Sequence, residues 1–291
     1  MRYSEPVYRP PSESDSLIIQ ATIGCPHNKC SFCGMYKGKR FRIRKVADIK
    51  EDLGSARDAY GLDAIHSIFF ADGNTIIMRT SQLAEIFAYS YEVFPGLQRI
   101  TLYASAKFIK FKTLAELETL RKAGLKRVHK GLESGSDKVL KLISKGADSK
   151  TMIDTGKRVK EAGLELSEYV LVVIGGQDLS EEHAFETVRV LSAINPDFIR
   201  LRTWVPVESA PLYKDYVSSK FKLLTPHQAL HETRLLVEGL KGDGLLLSDH
   251  VSNFVNISGY INRDRQKMLD KIDRALKMDE SEFRPSVIDV L

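Results

Sequence analysis

The chain is poor in cysteine, tryptophan and long apolar runs. Of 291 residues, three are Cys and one is Trp. All three cysteines fall within residues 25–33, an odd and clustered set that excludes the disulfide framework of a small secreted domain. No apolar run reaches the roughly 18 residues that a membrane span needs. The opening stretch MRYSEPVYRPPSESDS has no apolar signal-peptide core. Internal repeats, low-complexity tracts and Pro/Gly-rich linkers are missing too. These absences point to a soluble cytoplasmic protein with no membrane partner. Excess charge is modest, at a net +5, and is no nucleic-acid signature by itself. What remains is ordinary globular composition, 43% hydrophobic and 28% charged, in a chain large enough for one α/β domain or two smaller ones.

Short apolar runs alternate with helical spacing. Strands are expected at LIIQATI (17–23), IHSIFFA (65–71), RITLYAS (99–105), KRVHKGL (126–132), LSEYVLVVIGG (166–176) and DFIRLRTWV (197–205). Helices are expected between them at 46–61, 81–94, 113–124, 136–146, 149–163 and 180–194, with further helices near 226–240 and 263–277. Buried runs without polar alternation imply a parallel sheet covered by helices. The unusual residues gather after strands: Cys25, then Asp72-Gly73-Asn74, then Glu133-Ser134-Gly135, then Gly175-Gly176. Four special loops on one rim favour a barrel-like face, where chemistry sits at strand C-termini. The expected fold class is α/β, a partial (β/α)6 TIM-like barrel over residues 1–213, with a C-terminal helical extension, 214–291, closing it.

The stretch GCPHNKCSFCGMY (24–36) has the spacing C-x4-C-x2-C. Three thiolates suit a metal, one ligand short of the usual four. Such a loop can wrap one corner of a cubane cluster and leave one iron open. A Cys₃His zinc site using His27 is the alternative, though His27 is cramped between Cys25 and Cys30. Inert buried thiols would have no reason to cluster. Just beyond lies YKGKRFRIRK (36–45), six cations in ten residues. It reads as a solvated loop, or as a basic rim facing a carboxylate, a phosphate or a cluster.

In this order the motifs resemble those of the radical S-adenosylmethionine (SAM) enzymes. The resemblance is nearest to the subgroup with the methylthiotransferases, the Elongator catalytic subunit and oxygen-independent coproporphyrinogen oxidase, and it spans roughly residues 17–213. It implies a 4Fe–4S cluster on Cys25, Cys30 and Cys33, with four residues in the first gap where the family usually has three. It implies SAM contacts from Phe32, from Asp72-Gly73-Asn74 in place of the family's Gly-Gly-Glu, and from Glu133 and Ser134. Lys145 would pair with the SAM carboxylate. Ile174-Gly175 and Val205 would line the adenine pocket.

By that resemblance SAM itself is the missing ligand, chelating the open iron. Reductive cleavage would give a 5′-deoxyadenosyl radical that takes a hydrogen atom from a substrate, with a flavodoxin or ferredoxin supplying the electron. With no cysteine left for a second cluster and no cobalamin domain ahead of the barrel, sulfur insertion is disfavoured. The substrate is expected to be a small molecule. An RNA substrate and a non-catalytic iron–sulfur carrier are the competing readings. In SDHVSNFVNISGY (248–260), polar residues follow an apolar run. They read as a turn-bonded loop, or as a segment presenting Asp249 and His250 to the substrate as catalytic groups.

Overall fold

The computed structural model describes residues 1–283. Strand β1 (Leu17–Gln20) is followed by β2 (Thr22–Ile23), β3 (Arg42–Ile43), helix α1 (Val46–Tyr60), β4 (Ser67–Ala71), α2 (Thr80–Val93), β5 (Arg99–Ala104), α3 (Ala106–Ile109), α4 (Leu114–Lys122) and β6 (Leu125–Glu133). The chain continues through α5 (Asp137–Leu142), α6 (Ser149–Glu161), β7 (Glu165–Val172), α7 (Gly176–Ile194), β8 (Phe198–Thr203), α8 (Leu212–Val217), α9 (Pro226–Gly239), β9 (Leu245–Leu247), β10 (Gly259–Tyr260) and α10 (Ile261–Ala275). One eight-stranded sheet has the order β1-β4-β5-β6-β7-β8-β9-β10. The pairs β1–β4, β4–β5, β5–β6, β7–β8 and β8–β9 are parallel, and β9–β10 is antiparallel. The fold is α/β, a mostly parallel sheet alternating with helices, as the unbroken apolar runs require.

The chain forms two compact units. The first comprises residues 1–28, 38–130 and 158–166. Strand alternation gives its sheet two faces. Phe70 packs against Phe87 of α2, with ring centroids 5.2 Å apart. Phe69, on the other face, meets Tyr103 and His129 edge-on. Fully buried Glu13, from the N-terminal lead-in, accepts hydrogen bonds from His129 Nε2 (2.9 Å) and Ser16 Oγ (2.6 Å) and pairs with Arg99 at 3.2 Å. Burial alone would raise its pKa, but His129, Ser16 and Arg99 together lower it to about 2.

LIIQATI is not one strand. At Ala21 the backbone leaves the sheet after one last bond, its N–H donating to the Ala71 carbonyl. Thr22–Ile23 then pairs antiparallel with Arg42–Ile43. This short ladder ties together the two ends of the segment 24–41, which carries the cysteines. A run of seven apolar-looking residues does not reveal such a hand-over, because β2 is as buried as β1.

The second unit comprises residues 29–37, 131–157 and 167 onward. Helix α9 lies over one face of β7 and β8, where Val172, Leu201, Thr203, Ala229, Leu230 and Thr233 line a common crevice. Tyr169, Leu171, Arg200 and Arg202 therefore belong to the opposite face, in register as Tyr169 with Arg200 and Leu171 with Arg202. The strand expected to reach 176 stops at Val172, and α7 begins at Gly176. Val173 and Gly176 have φ of +70° and +62°, so the chain turns sharply there. The C-terminal part is not helical alone, since β9 and β10 extend the sheet. Among the described residues no helix is long and apolar enough to cross a membrane.

Candidate active site

In the first unit the site is built around Cys25 and the turn after β4. Asp72 Oδ2 accepts from Gln20 Nε2 and from the Gly24 N–H, each at 3.0 Å. The Asp72 carboxylate is thus spent on holding the glycine that opens the cysteine segment. Gly73 sits half-buried in the same turn. Cys25 Sγ accepts from the Asn28 N–H at 3.5 Å and from Asn74 Nδ2 at 3.8 Å. Asn74 is 4% exposed, and its Oδ1 is buried without a hydrogen-bond partner. A buried acceptor left unpaired is costly, and a ligand ammonium would satisfy it. His27 Nδ1 lies 2.9 Å from Lys107 Nζ, so one of its two ring nitrogens is engaged.

In the second unit the site is built around Glu133 and Lys145. Lys145 Nζ donates to Glu133 Oε1 at 2.7 Å, with both side chains nearly buried. Burial favours neutral Lys145, but the Glu133 carboxylate and the Cys30 and Cys33 thiols outweigh it and raise its pKa. The ammonium also lies 5.7 Å from the centre of the Phe32 ring. Phe32 is anchored through its backbone, whose carbonyl accepts from Trp204 Nε1 at 3.1 Å. Glu133 itself has φ +63°, an uncommon conformation for a residue with a side chain. Gly131 leaves room for this pair, since a Cβ there would displace the Glu133 carboxylate and the Lys145 ammonium.

Ser134 is fully buried, and its Oγ accepts from the Ser136 N–H and meets His183 Nδ1 at 2.8 Å. Its hydroxyl faces the protein. His183 Nε2 lies 3.7 Å from Glu232 Oε1, too far for a hydrogen bond. Glu232 accepts from the Val173 N–H (2.7 Å) and Ser180 Oγ (2.5 Å). Burial lowers the His183 pKa to about 4, against the Leu171 backbone, and raises that of Glu232 to about 7, against its two donors. This network ties the end of β6 to the end of β7. Ile174 is fully buried. Gly175 is close-packed, since a Cβ would press on the Leu179 carbonyl and the His183 side chain. Val205 is buried just past β8.

The C-terminal loop folds back on β8. Asn253 Nδ2 donates to the Leu201 carbonyl (2.8 Å), Thr203 Oγ1 donates to Asn253 Oδ1 (3.1 Å), and the Thr203 N–H donates to Ser252 Oγ (3.2 Å). Ser248 bonds Val255 and Ser258 locally. Most of the polar residues there hold the loop, as the turn-bonded reading expects. His250 also bonds within the loop, its Nδ1 accepting from the Ser252 N–H. It is half-buried, and burial and then Arg202 lower its pKa to about 4 against the pull of Asp249. Asp249 is exposed. Sequence reasoning missed Tyr169, Arg202 and the His183–Glu232 pair. A faint signal for Arg202 lay in RLRT, two arginines at alternate positions of an otherwise apolar strand.

All three cysteines are free thiols and half-buried. Among the described residues no three His, Cys, Asp or Glu side chains are grouped as one metal ion would require. Three thiols that each bind a different iron need no such common centre. In the first unit the unpaired Asn74 acceptor fits an ammonium group, and in the second the lysine–carboxylate pair near the Cys30 and Cys33 thiols fits an anionic ligand group beside a cluster.

A model of the Radical SAM superfamily matches residues 19–188. The chain belongs to this superfamily. Membership makes it a radical SAM enzyme, implies a 4Fe–4S cluster and SAM, and requires a reductant. The chain is 26% identical over 211 residues to an uncharacterized methyltransferase of Pyrococcus horikoshii, matching 72% of this chain and 43% of that protein. It thus spans under half that relative's length. It is 24% identical over 275 residues to a GTP 3′,8-cyclase of Clostridium botulinum, matching 92% of this chain and 80% of that one. Its fold is similar to coproporphyrinogen III oxidase from Escherichia coli, at TM-score 0.58 and 17% identity, covering 77% of this chain and 51% of the other. That likeness shows the fold, the superfamily's partial TIM-type barrel. Relatives with such different names leave the subgroup within the superfamily unresolved.

Proposed function

We propose that this enzyme reductively cleaves SAM and abstracts a hydrogen atom from a small-molecule substrate. Cys25, Cys30 and Cys33 would hold the cluster. Asn74, Glu133, Lys145 and Phe32 would hold SAM, with Gly73, Ile174-Gly175 and Val205 offering backbone or apolar surface. When bound, the two cofactors supply a carbon-centred radical able to take hydrogen from an unactivated C–H bond. The chain's own residues bind and orient. Asn74 Oδ1 can accept from the SAM ammonium. Lys145 can share its ammonium protons between Glu133 and the SAM carboxylate. The observation that carries this reading is the buried Asn74 Oδ1 acceptor beside Cys25, which has no hydrogen-bond partner among the described residues.

The test is anaerobic reconstitution with iron and sulfide, followed by dithionite and SAM. We expect one oxygen-sensitive 4Fe–4S cluster per chain and 5′-deoxyadenosine above a no-enzyme control. Cys30→Ala should lose the cluster and the product together. Full iron content and cleavage in Cys30→Ala would defeat the cluster assignment.

The RNA reading rests on the cations of 36–45, and three of the six are already engaged. Lys37 donates to the Cys30 carbonyl, Lys39 to the Ser4 and Pro6 carbonyls, and Arg44 to Asp52 and the Gln20 carbonyl. They staple the cysteine segment and the N-terminal lead-in. Arg40, Arg42 and Lys45 remain, and Arg42 and Lys45 line with Arg2 and Arg44 a cleft of about 300 Å³. Three cations make a weak phosphate track, so the small-molecule reading is preferred.

A further inference from the structure

Arg202 stands on the face of β8 turned away from α9, and it has a cation's ordinary surroundings reversed. Its guanidinium lies 5.1 Å from the centre of the Tyr169 ring. Among the described residues it has no hydrogen bond and no carboxylate within ion-pair distance, although it is only half-exposed. Arg200, two positions earlier on the same face, is buried and bonds only the neutral Ser167 hydroxyl at 3.3 Å. Elsewhere the chain pairs its partly buried arginines with acids, as in Arg44 with Asp52 and Arg127 with Glu165. Two arginines on one strand face without an acid leave a positive field that a ligand can neutralise.

His250 completes the arrangement. Its Nδ1 accepts from the Ser252 N–H at 3.2 Å and lies 2.8 Å from Ser252 Oγ. That places the ring proton on Nε2, leaving a neutral donor there. Near Arg202 the imidazole stays uncharged at neutral pH. Arginine stacked on an aromatic ring keeps its planar fork of donors free, the geometry suited to bidentate binding of an oxyanion.

We propose that Arg202, stacked on Tyr169 and flanked by His250, is the anchor for an oxyanion group of the substrate, a carboxylate or a phosphate. This rests on the radical SAM reading for the reaction, but the anion site itself does not depend on it. The substrate is then an anionic small molecule, held by its charged end at β8 so that its C–H bond is presented elsewhere in the pocket. His250 acts as a neutral second donor, and Asp249, being exposed, stays outside the anion's contacts.

The chain's one tryptophan, Trp204, follows two residues after Arg202 and serves as a built-in reporter. Reconstituted protein at low salt is titrated with inorganic phosphate and, separately, with succinate, following Trp204 fluorescence. Wild type should show saturable binding of at least one probe. Arg202→Gln should weaken it at least tenfold, and Arg202→Lys by less, in line with the loss of a charged hydrogen bond. Preference for phosphate or for succinate assigns the anion's source. SAM affinity, measured by equilibrium dialysis, should be unchanged in Arg202→Gln. Absence of saturable binding of either probe overturns the proposal, as does equal binding by Arg202→Gln. A tenfold loss of SAM affinity in Arg202→Gln also overturns it, since the arginine would then serve the SAM carboxylate. If wild type binds the probes but not SAM, the anion site stands and the radical SAM reading fails.

Discussion

Glu133 combines a left-handed backbone, a nearly buried carboxylate and a 2.7 Å bond to a nearly buried lysine. Backbone strain of this kind costs on the order of 1–3 kcal/mol and persists only where the surroundings over-determine it. Here the Lys145 ammonium and the close approach of Gly131 do so. Removing the carboxylate alone leaves a buried cation without its counter-ion, an error of about 3–5 kcal/mol. Glu133→Ala should therefore lower stability by that order in urea unfolding, whereas Glu133→Ala with Lys145→Met should recover at least half of it. Both variants should bind SAM at least tenfold more weakly while keeping iron. A double variant as unstable as the single one would show that the pair is not what stabilises this corner. Asn74 allows a contrasting test. Its Oδ1 satisfies nothing inside the protein, so Asn74→Ala should cost little stability and still weaken SAM. A fall in unfolding midpoint without change in SAM affinity would reverse that assignment.

At the scale of elements, β8 and the loop 248–256 behave as one piece. Asn253 bridges Leu201 and Thr203, and Ser252 caps the Thr203 N–H, so the loop continues the strand's bonding where no further strand residue is available. Asn253→Ala leaves the Leu201 carbonyl and the Thr203 hydroxyl without these partners. It should cost roughly 1–3 kcal/mol, with weaker anion binding because His250 loses its platform. Thermal unfolding and the Trp204 titration read the two effects separately. Such clamps explain what was legible in the sequence. Strand–helix alternation was, because each of β1, β4, β5, β6, β7 and β8 is a short apolar run with a turn residue after it. The thiol loop and the rim residues Asn74, Glu133 and Gly175 were also legible, since cysteines and glycines carry local meaning. The break at Ala21, the start of α7 at Gly176 and the strands β9 and β10 were not. They are fixed by partners distant in sequence, and runs of two or three residues carry no periodicity. Arg202 went unseen for the same reason. An arginine in a strand gains its significance only from the ring beside it and the acid that is not there.

The whole molecule carries a proton balance in its second unit. Glu232 is held at about 7, above its ordinary 4.5, so the folded chain keeps a proton that the unfolded chain releases. Stability from this group falls as pH rises from about 4.5 to about 7. His183 is held at about 4, below 6.5, so the unfolded chain binds a proton that the folded chain refuses. Stability from this group rises with pH from about 4 to about 6.5. Each slope is at most about 1.4 kcal/mol per pH unit, the linkage value for one proton. Across pH 4.5–6.5 the two have opposite signs and largely cancel. Single variants should unmask them. In His183→Asn, which keeps an acceptor for the Ser134 hydroxyl, urea midpoints should fall relative to wild type as pH goes from about 4 to about 6.5. In Glu232→Gln, which keeps a carbonyl for the Val173 N–H, they should climb relative to wild type from about pH 4.5 to about 7. Midpoints of both variants that run parallel to wild type would mean that neither group titrates in this window.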